Sequence, residues 1–231
     1  NDEVLSKLYN LKFLFRLGSG IDNINLSYLK KKKIIFKKST ITPEISVAEL
    51  IIGFIIVLLR QIHISDYNIK NGVWKKNMGS ILFGKKVGII GYGKVGSYLH
   101  KLLKNFGAEI YINEIKKNNN IKFTGLKHLL KNSDIVTINT SLKSPKVILN
   151  KSNLDLLKKN CILINTSRPE VIDYNYLYYI LKKNKILGAG LDVFHDEPYY
   201  GKLKNLPNVI LTPHIGGYSK EIRLKMELEG I

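Results

Sequence analysis

Cysteine is almost missing from this chain: Cys161 is the one such residue in 231. No disulfide framework can be built from it, which points to a reducing compartment, the cytoplasm, and its place inside the apolar run "CILIN" makes it a core residue. Long apolar runs are missing too. The longest, "LIIGFIIVLL" from Leu50 to Leu59, lies between Glu49 and Arg60 and falls well short of the ~20 residues of a membrane span, so it reads as a buried helix. The opening "NDEVLSKLYN" lacks the basic start and apolar core of a signal peptide. It also lacks a methionine and stands close to an apolar strand, as expected of a chain with further residues in front of it. Acids are scarce, 18 against 37 lysines and arginines, for a net charge of +19. Such an excess suits nucleic acid or an anionic surface. The lysines, however, recur on nearly every expected helix and turn, and only "LKKKKIIFKK" is a dense run. They read as solvated faces, with neither nucleic acid nor a membrane expected as a partner. A small anionic substrate or cofactor remains compatible with the charge.

What is present is a regular alternation. From Lys85 onward, short apolar runs ("KKVGIIGYG", "AEIYINE", "DIVTINT", "CILINTS", "GAGLDVF", "NVILTP") alternate with helix-length amphipathic segments ("KVGSYLHKLLKNFG", "LKHLLKNS", "KSNLDLLKKN", "NYLYYILKKNK"). Strands apolar throughout and separated by helices predict a doubly wound parallel sheet, an α/β fold of the Rossmann kind, covered on both faces. Ahead of it, "KFLFRLGSG" and "KIIFKKS" predict two strands around a short helix, and "KEIRLKMELEG" predicts a last helix. These ends predict a second, smaller, incomplete α/β domain built from both termini. The expected division is residues 1–44 for a partial substrate-binding domain, 45–214 for the nucleotide-binding domain with its linking helix, and 215–231 for the return segment. Ser46 is the expected N-cap of the linking helix, with Glu49 at capping-box spacing.

Chemistry enters at "GYGKVG". Gly91, Gly93 and Gly96 stand between an expected strand and an expected helix, in the G-x-G-x-x-G pattern that lets a backbone turn tightly, approach a pyrophosphate and pack helix on strand. The next strand ends at Glu114, close to the ~20-residue offset of an acid that binds a ribose 2′-hydroxyl. A carboxylate there repels a 2′-phosphate, which favours NAD over NADP, although Lys116 and Lys117 lie nearby. Three more strand ends carry reactive groups: "INTSRPEVID" brings Arg168, "LDVFHDEP" brings acids, and "LTPHIGG" brings His214. Parallel strands point their C-terminal ends to one rim, where an arginine can grip a carboxylate, a histidine can exchange a proton, and an acid can orient the histidine.

The series "RLGSGIDNI", "SVAEL", "VGIIGYGKVG", "NSDIVTIN", "LINTSRPEVID", "GAGLDVFHDEP" and "LTPHIGG" resembles the D-2-hydroxyacid dehydrogenase family from near Leu11 to near Tyr218. Within it, "SVAEL", "VIDYNYL" and "AGLDVF" are most similar to the phosphoglycerate dehydrogenase branch. The resemblance implies an NAD-dependent oxidoreductase acting on a small anionic 2-hydroxy or 2-oxo acid, most similar in branch to enzymes that oxidise 3-phosphoglycerate for serine synthesis. It assigns Arg168, Glu197 and His214 as the catalytic set. Gly91, Gly93, Lys94, Val95, Gly96, Glu114, Thr166, Asp192, Gly216 and Gly217 become the cofactor contacts, with Asp192 toward the nicotinamide carboxamide. Ser19 and Gly20, together with Arg168, would hold the substrate carboxylate. Other D-2-hydroxy acids (glycerate, lactate, or the glyoxylate and hydroxypyruvate pair) stay open, as does a non-catalytic NAD-sensing corepressor.

Several residues depart from the family pattern. Pro169 follows the arginine where glycine is usual, Asn139 and Ser141 replace a common His and Pro, and Pro43 stands where a polar residue is frequent. Among the histidines, His195 reads as an exposed loop residue and His100 and His128 as structural ones. His63 reads as a cap at the end of the apolar helix, and no metal site is expected. The helix over residues 46–63 is apolar on too many sides for one small domain, which predicts a homodimer or higher homo-oligomer through it.

Overall fold

The computed structural model describes residues 2–18, 20–21, 24–115, 121–140 and 147–231. The sequence expectations that involve Ser19, Lys116, Lys117 and Ser141 lie outside the described residues. The chain forms two compact units, one of residues 1–46 with 217–231 and one of residues 47–216.

The smaller unit joins both chain ends. Helix α1 (Asp2–Ser6) precedes strand β1 (Phe13–Arg16), then come helix α2 (Leu26–Lys31) and strand β2 (Ile35–Lys38), which pairs with β1 in parallel, Phe13 opposite Ile35. Asn25 caps α2 by accepting the amide of Tyr28, and Leu5, Leu29 and Ile34 form a small core. The terminal helix, Lys220–Glu229, is fastened by its last residue: the Glu229 carboxylate accepts hydrogen bonds from the hydroxyls of Ser39 and Thr40 and from the Thr40 amide. Those hydrogen bonds hold its carboxyl down at about 2.

The larger unit is a six-stranded parallel sheet. Helix α3 (Glu44–Arg60) runs into it and is followed by α4 (Ile62–Lys70), β3 (Lys86–Ile90), α5 (Lys94–Asn105), β4 (Glu109–Asn113), α6 (Leu126–Asn132), β5 (Ile135–Ile138) and α7 (Lys151–Leu154). Then come β6 (Ile162–Asn165), α8 (Tyr174–Lys182), β7 (Gly188–Leu191) and β8 (Val209–Leu211), and the terminal helix is α9. The strand order is β4-β3-β5-β6-β7-β8, so the winding direction reverses between β3 and β5, where an open α/β sheet leaves its binding crevice. Successive side chains point to opposite faces. Val87, Ile89, Ile135, Ile162 and Ile164 meet α3 and α5, while Val136, Ile138, Leu163, Ala189 and Leu191 meet α6 and α8.

Two glycines let α3 approach the sheet. A Cβ on Gly190 would stand 2.7 Å from the Phe54 ring, and one on Gly188 would stand 3.2 Å from Leu58. Phe54, Ile55, Leu58 and Ile51 are buried there, so the apolar excess of α3 is largely absorbed by its own sheet. The helix also differs from expectation at both ends. It begins at Glu44, directly after Pro43, which places Ser46 inside the first turn rather than at the cap. It stops at Arg60 because Gln61 adopts a left-handed conformation, with φ of 52°. His63 therefore sits in the first turn of α4, where Nε2 lies 3.0 Å from the Pro207 carbonyl oxygen, and it does not cap α3. The segment "KSNLDLLKKN" forms one helical turn only, α7, capped by Asn150. Asp173, unremarked in the sequence, caps α8 through the Tyr176 amide.

Among the described residues no single helix is long and apolar enough to cross a membrane; α3 and α4 reach that composition only as a pair bent by 64°. Cys161 is wholly buried, and burial pushes its thiol up to about 12, which makes it inert at neutral pH. His100 receives or gives a hydrogen bond with the Tyr92 hydroxyl at 2.6 Å, and His128 meets the Tyr111 ring edge-on.

Replacing Gly190 with Val drives a branched side chain into Phe54 and is expected to destabilise the larger unit by roughly 1–3 kcal/mol, measured by urea unfolding. Glu229 is held near 2 against an ordinary 4.5, so its contribution is complete above 4.5 and disappears as pH falls through 2. A Glu229→Gln variant should therefore show a flatter fall of thermal midpoint across that acid window than the parent chain.

Candidate active site

The crevice begins where β3 ends. Gly91 has φ of +91°, a conformation that L side chains rarely adopt, and a Cβ there would come within 2.8 Å of the Asn139 backbone after β5. A Cβ on Gly96 would collide with the Gly91 carbonyl at 2.2 Å, so this glycine lets α5 lie against the turn. Gly93 differs: nothing stands within 4 Å of its would-be Cβ, and it heads α5 without a side-chain cap. That combination leaves open space in front of a helix N-terminus, the arrangement that receives a phosphate. Glu114, just past β4, reaches back so that Oε2 accepts the Tyr92 amide at 2.8 Å and Oε1 accepts the Ile115 amide at 2.6 Å. Its carboxylate is thereby fixed beside the glycine turn.

The rim next to the turn has polar atoms without partners. Asn139 Nδ2, Thr140 Oγ1 and Thr166 Oγ1 are buried and make no hydrogen bond. Buried donors and hydroxyls in this state are costly unless a ligand completes them. Together with the open space at Gly93, they fit a dinucleotide lying across the ends of β3, β5 and β6.

Arg168 follows β6. Its backbone is extended, φ −145° and ψ 146°, as a residue before proline prefers, and Pro169 opens a short 3₁₀ turn at the one place where a missing amide costs nothing. The Pro169 departure is therefore accommodated, with the ring buried. One guanidinium nitrogen of Arg168 donates to the Ser167 carbonyl at 2.8 Å. Asn165, unsingled in the sequence, is completely buried at the end of β6 and accepts from the Ser167 amide and hydroxyl at 3.1 and 2.9 Å. Its amide nitrogen donates to the Arg168 carbonyl at 2.8 Å.

Glu197 and His214, 17 residues apart, come together. His214 Nδ1 lies 3.0 and 3.2 Å from the two carboxylate oxygens, and Glu197 Oε1 also accepts the Phe194 amide at 3.1 Å. Both side chains are about half-exposed. His214 has φ of +54°, a left-handed conformation that is costly for a residue with a Cβ and persists only where surroundings impose it. The imposing group is Asp192. This carboxylate is fully buried; Oδ1 accepts from the Thr212 hydroxyl at 2.5 Å and the Ile215 amide at 2.8 Å, while Oδ2 accepts the Gly216 amide at 2.8 Å. Burial raises its pKa, and the three hydrogen bonds with the nearby His214 charge oppose that rise. His195, by contrast, is exposed with its ring edge-on to Tyr174, as expected of a linking loop. Gly20, in the smaller unit, accepts from Arg16 Nε through its carbonyl at 3.0 Å. Gly217 in that unit is limited in size by Pro43, 3.3 Å from a would-be Cβ. Among the described residues no group of three metal-ligating side chains converges.

Asn165, Thr212 and Thr140 were not legible as site residues. For Asn165 and Thr212 the one sequence signal is a polar side chain closing or following an aliphatic run, and that signal is common at strand ends.

Residues 52–216 match the family described as D-isomer specific 2-hydroxyacid dehydrogenase, NAD binding domain. The chain is 35% identical over 238 residues to a glyoxylate reductase of Thermococcus litoralis, covering 96% of this chain and 72% of that one. It is 36% identical over 231 residues to a D-3-phosphoglycerate dehydrogenase of Methanocaldococcus jannaschii, covering 95% of this chain and 44% of that one. The structure of a D-lactate dehydrogenase from Aquifex aeolicus complexed with NAD and lactic acid superposes with a TM-score of 0.84 at 29% identity, covering all of this chain and 77% of that one. The chain belongs to the D-isomer specific 2-hydroxyacid dehydrogenase family. It is an oxidoreductase of D-2-hydroxy acids that uses NAD. Because glyoxylate reductases and phosphoglycerate dehydrogenases match almost equally well, the likeness is to the family and not to one branch.

Asp192→Ala removes three hydrogen bonds from one buried carboxylate and leaves two backbone amides with no acceptor from it. Unfolding in urea should show a loss on the order of 3 kcal/mol.

Proposed function

We propose that this chain oxidises 3-phosphoglycerate to 3-phosphohydroxypyruvate, with His214 as the group that exchanges the proton. The observation that carries the reading is the contact of His214 Nδ1 with both oxygens of Glu197. With Nδ1–H donated to the carboxylate, Nε2 is the acceptor left for a substrate hydroxyl, and Glu197 stabilises the imidazolium formed when that proton arrives. Arg168 offers its planar fork to the substrate carboxylate. When bound, NAD supplies the hydride acceptor. Gly93 and the N-terminus of α5 would hold its pyrophosphate, and Gly91, Lys94, Val95 and Gly96 shape that turn. Glu114 would receive the ribose hydroxyls, and Thr166, Gly216 and Gly217 would be further cofactor contacts. Asp192 would stand at the nicotinamide end, where it holds the turn that carries His214, and Ser19 and Gly20 would contact the substrate carboxylate.

The phosphoglycerate assignment is supported by the phrasing of "SVAEL", "VIDYNYL" and "AGLDVF" and by the match to phosphoglycerate dehydrogenases. Reduction of glyoxylate or hydroxypyruvate is the second reading, favoured by coverage: 72% of a glyoxylate reductase is matched against 44% of a phosphoglycerate dehydrogenase. A pure NAD sensor is disfavoured because it has no need of a histidine and carboxylate in contact beside an arginine. The one buried cysteine suits the cytoplasm.

A homodimer is part of the same reading. Ile52 and Ile56 on α3 remain partly uncovered, and Trp74, Met78 and Phe83 are 85%, 95% and 73% exposed. A second copy would bury such apolar surface.

Turnover should be found with NAD and 3-phosphoglycerate in a panel of D-2-hydroxy and 2-oxo acids, and faster turnover with glyoxylate or hydroxypyruvate would transfer the assignment to the second reading. His214→Ala should lower kcat at least about 100-fold and leave NADH binding, read by fluorescence, within about twofold. Full turnover in that variant removes the proton-transfer role. Light scattering should report a dimer that Trp74→Asp with Met78→Asp converts to monomer.

A further inference from the structure

Arg168 and His214 stand on two turns, and each turn is folded around one buried polar side chain at a strand end. We infer that Asn165 is a positioning residue for the reaction: it folds the turn that presents Arg168, and through its own backbone it anchors the residue that folds the turn of His214. The inference rests on the reading of Arg168 as the carboxylate grip.

Asn165 has four polar contacts and no exposure. Oδ1 accepts from the Ser167 amide and hydroxyl, which closes the turn from within. Nδ2 donates to the Arg168 carbonyl at 2.8 Å and lies 3.5 Å from the Tyr174 hydroxyl. This ties the residue bearing the guanidinium to the end of β6, adding a side-chain bond to the extended backbone that Pro169 already favours. The Asn165 carbonyl accepts the Asp192 amide at 3.0 Å, continuing the β6–β7 ladder one step beyond the named strands. Asp192 in turn gathers Thr212, Ile215 and Gly216 around His214. Tyr174 closes a second link between the two turns, since its hydroxyl donates to the Val193 carbonyl at 2.6 Å. An amide suits this place as no other side chain does. It supplies an acceptor for Ser167 and a donor for Arg168 at once, and brings no charge into a buried strand end.

Misplacing a gripping group by about 1 Å can cost on the order of 100-fold in rate, whereas loss of a purely structural bond lowers stability and leaves the kinetics of the folded fraction intact. The test is a double-mutant cycle on the full chain with NADH and a 2-oxo acid, using Asn165→Ala, Arg168→Ala and the pair. Asn165→Ala alone should raise KM for the acid and lower kcat, with kcat/KM down at least about tenfold and NADH affinity within about twofold. In the Arg168→Ala background the same change should cost less than about twofold. Where Asn165→Ala does not fold, Asn165→Asp keeps the acceptor for Ser167, loses the donor to Arg168, and is read in the same cycle. Binding of oxamate to the NADH complex gives the same cycle at equilibrium when turnover in the arginine variant is too slow to time. Equal losses in both backgrounds, or unchanged kinetics in Asn165→Ala, overturn the positioning role and leave the arginine assignment standing. Full turnover in Arg168→Ala alone removes the arginine assignment and with it the reason for the brace.

Discussion

Six parallel strands deliver all their C-terminal ends to one edge of the sheet, and there the ladder that satisfied each strand's backbone stops. Amides and carbonyls just past that edge still require partners. This chain meets the requirement with side chains: the half-buried Glu114 takes the Tyr92 amide, the buried Asn165 takes Ser167 and holds Arg168, and the buried Asp192 takes Ile215 and Gly216. The bonds of Asn165 and Asp192 that complete the backbone also fold the turns that carry Arg168 and His214. Scaffold and site are therefore not separable at this edge.

The left-handed conformation of His214 shows the cost and use of that arrangement. A residue with a Cβ does not choose φ of +54° unaided. Three hydrogen bonds to one buried carboxylate impose it, and the ring then lies with Nδ1 against Glu197. On the cofactor side the constraint is reversed. There, glycines remove side chains so that backbone can close on backbone at Gly91 and Gly96, while Gly93 leaves space in front of α5. The turn of His214 is built around a buried carboxylate, and the glycine turn by omitting Cβ atoms.

Much of this was legible before any coordinates. The α/β alternation, the parallel sheet, the glycine turn, and an arginine, a group of acids and a histidine after three strands all stand in local patterns of the chain, while the choice of Glu197 among those acids came from the family resemblance. The reading was less good wherever two distant segments had to agree. Ser46 has the residue type and spacing of a cap, yet Pro43 starts the helix earlier. His63 falls beyond the helix it was expected to end, because Gln61 breaks that helix in a left-handed turn. Part of the apolar surface of α3, at Leu58 and Phe54, is taken up at Gly188 and Gly190, 130 and 136 residues later in the chain.

Periodicity and glycine placement are properties of neighbouring residues, so the sequence alone determined the element types and the nucleotide turn, and its motif series resembled the family. Which buried polar side chain satisfies which stranded amide depends on segments brought together only by folding. The pairing of Glu197 with His214 and the clamp of Asp192 on the Thr212–Gly216 turn were decided there. Hydrogen bonds reach about 3 Å, and no spacing in a linear chain encodes that distance across 17 to 24 residues.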